Sequence, residues 1–169
     1  MNTPRVEQPV MPGYGVETPE WRGLPWAWAA ERLVGTRNYW VVTASATGQP
    51  HSLPVWGVWH DAEQRFMFSC AHGSKKARNL ASNPQMAFTN DDTVECVSVQ
   101  GTAALVAEPA RLSEWVDRYV AKYGAEVGPE LGDFVRQNAV YEVTPSLAFS
   151  VIERADEFAT RATRWRFAP

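Results

Sequence analysis

Five short runs of β-forming residues follow one another between Asn38 and Ala107, and tight turns separate most of them. Asn38–Ser45 (NYWVVTAS) alternates from Tyr39 onward, as a strand with one buried face does. Thr47-Gly48-Gln49-Pro50 turns the chain, and His51–His60 returns. Asp61-Ala62-Glu63-Gln64 leads into Arg65–Cys70. Gln85–Thr89, the turn Asn90-Asp91-Asp92 and a long run from Val94 to Ala107, kinked near Gly101, complete the set. Helices are too few for βαβ winding, so the pattern predicts antiparallel strands. Closing such a sheet removes its exposed edges. The expected fold is mainly β: a closed or nearly closed barrel with flanking helices.

The remaining segments fit around that barrel. Residues 1–25 hold Pro4, Pro9, Pro12, Pro19 and Pro25 and read as an irregular arm on the body or on a partner subunit, leaving 26–169 as one domain. A short helix is predicted from Trp26 to about Val34, with Gly35 as its stop. Pro109 opens a second helix, whose apolar face is Leu112, Trp115, Val116, Tyr119, Val120 and Tyr123, with Gly124 as the stop. A helical turn around Leu131–Arg136 and two closing strands, Val140–Glu153 and Phe158–Phe167, are expected to follow. Pro54 and Gly57 fit poorly in a central strand; they point to an edge, a bulge or a close backbone approach.

Charge and cysteine content narrow the function. A net charge of −3 gives no global field toward nucleic acid or anionic membranes, so any basic site is local. Cys70 and Cys96 sit in apolar runs and read as buried thiols of a reducing compartment. With no apolar core in MNTPRVEQPVMPGYG, a cytoplasmic protein is expected. His51, His60 and His72 fall in separate segments without metal-ligand spacing. No nucleophile elbow, Walker loop or dinucleotide fingerprint occurs, so neither a catalytic side chain nor a metal is expected. The eight tryptophans read mostly as packing, with one or two left for a planar ligand.

The segment richest in chemistry is Cys70-Ala71-His72-Gly73-Ser74-Lys75-Lys76-Ala77-Arg78-Asn79-Leu80. Ser74 is a natural N-cap for a helix running to about Ser82, where Asn83-Pro84 ends it. Lys75, Lys76 and Arg78 then lie in the first turn, where cations oppose the helix dipole at ~0.3–1 kcal/mol each when exposed. Helix-start amides, a hydroxyl and these cations would together cradle a phosphate or polycarboxylate. A solvated basic turn is the alternative; the position directly after a strand favours the cradle.

Taken in order, Gln49-Pro50, Leu53-Pro54-Val55-Trp56, Phe66-Met67-Phe68-Ser69, Gly73 to Pro84 and Val97 to Leu105 resemble the pyridoxamine-phosphate-oxidase-like split barrels. The likeness runs from about Arg32 to Glu108, and the Lys-x-x-Arg-Asn-Leu helix is its most specific part. Within that superfamily the chain resembles the actinobacterial flavin/deazaflavin oxidoreductases, also through Thr163-Arg164-Trp165-Arg166-Phe167. The resemblance implies a homodimer with two cofactor sites between subunits. It implies that Val55, Trp56 and Gly57 line the ring system, with Ser69 and Cys70 on the next strand. Ser74, Lys75, Lys76, Arg78 and Asn79 would hold the phosphate, and Trp165 and Arg166 would reach the ring or substrate.

Two departures bear on the cofactor. Members that oxidise pyridoxamine phosphate with FMN carry an arginine where Pro54 stands, and they end in a longer basic segment; this chain has neither. The resemblance therefore implies a deazaflavin of the coenzyme F420 type, passing a hydride to a small conjugated acceptor. FMN in the same fold is the alternative, as is a flavin- or tetrapyrrole-binding protein without turnover.

Overall fold

The computed structural model describes residues 3–168, and its framework is one antiparallel sheet. The strands are β1 (Arg5–Glu7), β2 (Asn38–Ala44), β3 (Pro50–His60), β4 (Arg65–Cys70), β5 (Gln85–Thr89), β6 (Glu95–Leu105), β7 (Ala139–Ile152) and β8 (Thr163–Arg166). They lie in the order β1-β8-β7-β4-β3-β2-β5-β6, and β6 returns to β7, which closes six strands into a barrel. The helices are α1 (Trp26–Gly35), α2 (Lys75–Ser82), α3 (Pro109–Val127), α4 (Leu131–Arg136) and α5 (Phe158–Arg161). None of the described helices is long and apolar enough to cross a membrane.

Alternation decides which side chains enter the barrel. Tyr39 and Val41 of β2, Phe66 and Phe68 of β4, Phe88 of β5 and Val97 and Val99 of β6 are all fully buried in one core. Phe66 stacks on Phe88 with ring centres 4.0 Å apart. The intervening residues Val58 of β3 and Met67 of β4 face outward and pack beneath Trp115, Val116, Tyr119 and Tyr123 of α3, forming a second core. The kink expected near Gly101 is a register shift between Gln100 and Gly101. A Cβ at Gly101 would come 2.4 Å from the Thr144 carbonyl oxygen, so only glycine fits there.

Three expectations are corrected. Helix α3 runs through Gly124 and ends at Val127, because the residue with the positive φ is Gly128 (φ 118°), whose N–H bonds the Gly124 carbonyl. Phe158–Arg161 is a helical turn, closed by the bonds from Phe158 N–H to Arg154 O and Arg161 N–H to Glu157 O; the last strand starts at Thr163. The arm is not wholly irregular: Arg5–Glu7 pairs with Arg164–Arg166, and Glu7 forms ion pairs with both of those arginines. Trp21 Nε1 and Leu24 N–H also bond Ala162 O and Thr163 Oγ1, at 2.7 and 2.8 Å. The arm is thereby fastened to its own chain.

Candidate functional site

The barrel parts at one place. β3 and β4 pair from His60↔Arg65 to Gly57↔Phe68. Beyond that point β4 continues along β7, through Ser69↔Val140 and Cys70↔Ala139, while Pro50–Trp56 of β3 pairs only with β2. Pro54 therefore lies on a strand whose other edge is open, where its missing N–H costs no ladder bond. Gly57 marks the fork. A Cβ there would stand 2.5 Å from the Phe66 ring and 2.8 Å from the Met67 carbonyl oxygen.

Helix α3 grips the strand at this fork. The Tyr123 hydroxyl accepts the Gly57 N–H at 3.0 Å and lies 2.7 Å from the carbonyl oxygens of Gly57 and Arg37. Lys122 Nζ donates to the Gly57 carbonyl and the Tyr39 hydroxyl, each at 3.0 Å. Burial lowers the Lys122 ammonium to about 8 and raises the Tyr123 phenol to about 12. Sequence periodicity marked Tyr119 and Tyr123 only as core positions, and nothing marked Lys122. The missed signal is a lysine inside an apolar face, next to a tyrosine.

The residues expected to line a ring are divided between the two faces of β3. Val55 points inward against the barrel core. Trp56 points outward and stacks on Tyr123, with ring centres 4.7 Å apart and planes 7° apart. With Tyr119, Leu131 and Phe134 it walls an apolar cavity of about 260 Å³. Ser69 faces the Tyr119 phenol, and Cys70 turns back toward the barrel core.

Four residues after Cys70, Ser74 caps α2, its Oγ accepting the Ala77 N–H at 3.1 Å. No acidic residue occupies the first turn. Lys75 is half-buried. Lys76 is only 9% exposed and has no hydrogen bond or ion pair among the described residues. Arg78 is exposed and donates to the Gly73 carbonyl. Asn79, 2% exposed, donates to Thr43 Oγ1 at 3.0 Å and so fixes α2 against β2. The structure thus brings Ser74, Lys75 and Lys76 together at one helix start and gives Asn79 a positioning role.

The chain's end is elsewhere. Trp165 has no exposed surface; its Nε1 donates to Leu24 O at 3.2 Å and its ring meets Trp26 edge-on. It is a core residue of this chain, not a lining residue. Arg166 is tied to Glu7, whose carboxyl that guanidinium holds below the usual range. Its partner Leu147 is eight residues along β7 from Ala139, the partner of Cys70, or about 26 Å of strand. Trp26 and Trp59 are also core residues, each donating to Asp61 Oδ1.

The family model described as pyridoxamine 5'-phosphate oxidase matches residues 29–152. Solved structures share the fold at low identity. A FAD-binding protein from Mesorhizobium loti superposes with a TM-score of 0.59 at 15% identity, over 85% of this chain and 96% of that one. HutZ, the haem storage protein from Vibrio cholerae, gives 0.55 at 19%, over 70% and 87%. An F420 reductase gives 0.52 at 19%, over 70% and 94%. No curated protein matches this sequence.

Proposed function

This chain belongs to the pyridoxamine 5'-phosphate oxidase family, and on that premise we propose that it is a deazaflavin-dependent oxidoreductase that works as a homodimer. The helix amides, Ser74, Lys75 and Lys76 at the start of α2 would hold the anionic tail of coenzyme F420. The open edge of β3 would hold the ring, with a second copy completing the site. The observation that carries this reading is Lys76, nine-tenths buried at a helix start and unpartnered among the described residues. Its stem is buried while the ammonium at its tip keeps contact with solvent, and a cation at a helix start opposes the dipole unless an anion joins it.

Pro54 supports the deazaflavin over FMN, because phosphate clamping then rests on α2 alone. The exposed apolar residues Trp40 (46%) and Leu53 (45%), on β2 and β3 beside the parted strands, support burial against a second copy. When bound in reduced form, the deazaflavin supplies a hydride to a conjugated acceptor, and water supplies the proton. The chain's own residues bind the tail, orient the ring and exclude water. No side chain is needed as nucleophile or metal ligand.

Titration of the purified protein with F420, FMN and haem tests the reading. F420 is expected to bind at micromolar concentration, and Lys75→Ala combined with Lys76→Ala to weaken it at least about tenfold. A yellow protein that keeps FMN through purification would replace F420 by FMN. Haem binding alone, without flavin binding or turnover, would overturn the oxidoreductase.

A further inference from the structure

A second cleft, of about 350 Å³, opens between α1 and α3 above β3, away from the α2 start. Val34, Val58, Trp59 and Ala121 make its apolar wall. Its other wall is formed by His60, Arg118 and Lys122, and no carboxylate is among its described lining residues. In a chain of net charge −3 this is a local exception, with Glu114 the carboxylate paired to Arg118 from outside the cleft.

Each of the three basic side chains has binding capacity to spare. Lys122 uses two of its three protons, on Tyr39 Oη and Gly57 O, and has no ion pair among the described residues. Arg118 places Nη2 on Glu114 at 2.9 Å, while its Nε is buried without a hydrogen-bond partner. His60 Nδ1 is likewise buried without a hydrogen bond; the nearest carboxylate oxygen, Glu63 Oε1, lies 3.5 Å away. Unfilled donors beside a part-buried cation are costly, and a bound anion relieves both costs at once.

We propose that this cleft is a second ligand site, which takes a small organic carboxylate with an apolar body. The carboxylate lies between Lys122 and Arg118, and the body covers Val34 and Ala121, the exposed apolar residues of the cleft. Inorganic phosphate satisfies the cations but leaves that apolar wall wet, so the wall selects an organic acid. None of its lining residues belongs to α2, and Lys122 links it to Gly57 through the bond to the Gly57 carbonyl.

Isothermal titration with benzoate, benzyl alcohol and inorganic phosphate tests this on the intact protein. Benzoate is expected to bind at about millimolar concentration or better, with the other two at least about tenfold weaker. Lys122→Met and Arg118→Gln are each expected to weaken benzoate about fivefold or more. Two variants keep the result readable should one fail to fold. Affinity in the wild type is also expected to fall as pH rises above about 8, where Lys122 loses its proton. The groups facing that ammonium are Tyr39, Tyr123, Asp91, Arg118 and His60; burial keeps the two phenols protonated at this pH. Absence of benzoate binding up to about 10 mM would overturn the proposal. So would affinity unchanged in both folded variants, or phosphate binding as tight as benzoate.

Discussion

Gly57 shows how one missing methyl group positions a site. Its hydrogen-only side chain lets the Phe66 ring and the Met67 carbonyl close against β3 just where β3 and β4 part. Gly57→Ala is expected to lower stability by about 1–3 kcal/mol, read as a lower urea midpoint at unchanged slope. The flanking side chains could be identified from sequence but not assigned to a face. Alternation says that Val55 and Trp56 point opposite ways, but not which one meets a helix. That depended on α3, which arrives from some sixty residues further along the chain and takes Trp56 onto Tyr123. Lys76 and Asn79 were visible as one polar motif, yet they do different work: one ammonium is left unpartnered, while the amide is tied to Thr43. Spacing three residues apart on a helix puts two groups on one side without naming their partners.

Among the elements, those set by local chemistry were legible and those set by distant contacts were not. β2 to β6 and α2 lie close to where alternation, turn residues and the Ser74 cap put them. Gly124 misled because its φ stays in the helical range, and the glycine with a positive φ that ends α3 is Gly128. Phe158–Arg161 carries aromatic and β-branched residues yet turns as a helix, and Arg5–Glu7 becomes a strand only because β8 offers an edge. Helix α3 is secured at its start by Arg111, which bonds Glu63 of the β3–β4 turn, Glu114 of its own helix and Glu142 of β7. Arg111, through its hydrogen bond, is the largest influence holding the Glu63 carboxyl below its usual range; for Glu114 it comes second to Arg118. Carboxyls depressed in the folded state stabilise above their unfolded pKa and lose that contribution as pH falls through the folded value. Arg111→Met is therefore expected to lower Tm by about 2–4 °C at neutral pH, with the gap closing in acid. Thermal scans at several pH values check this; a gap that is constant with pH would remove the ionic explanation.

At the scale of the whole molecule, the proposed dimer makes each chain half of a site: a cationic helix start, an open strand edge and exposed apolar residues. Leu53→Glu or Trp40→Glu is expected to shift sedimentation from dimer to monomer and to abolish F420 binding in the same step. A dimer that survives both changes places the interface elsewhere. The barrel was legible because its pattern is local and repeated, while the placing of Trp165 and Arg166 was not, since the far end of the chain is read against the arm. The open edge along Pro50–Trp56 has one more consequence. A peptide edge offers carbonyl acceptors whatever side chains it bears and N–H donors everywhere but at proline, so on this ribbon Pro50 and Pro54 alone remove donors that a heterocycle with amide-like margins could meet. Exchanges among the other positions would leave that edge of the proposed site unchanged, so kinship here is better preserved in shape than in letters.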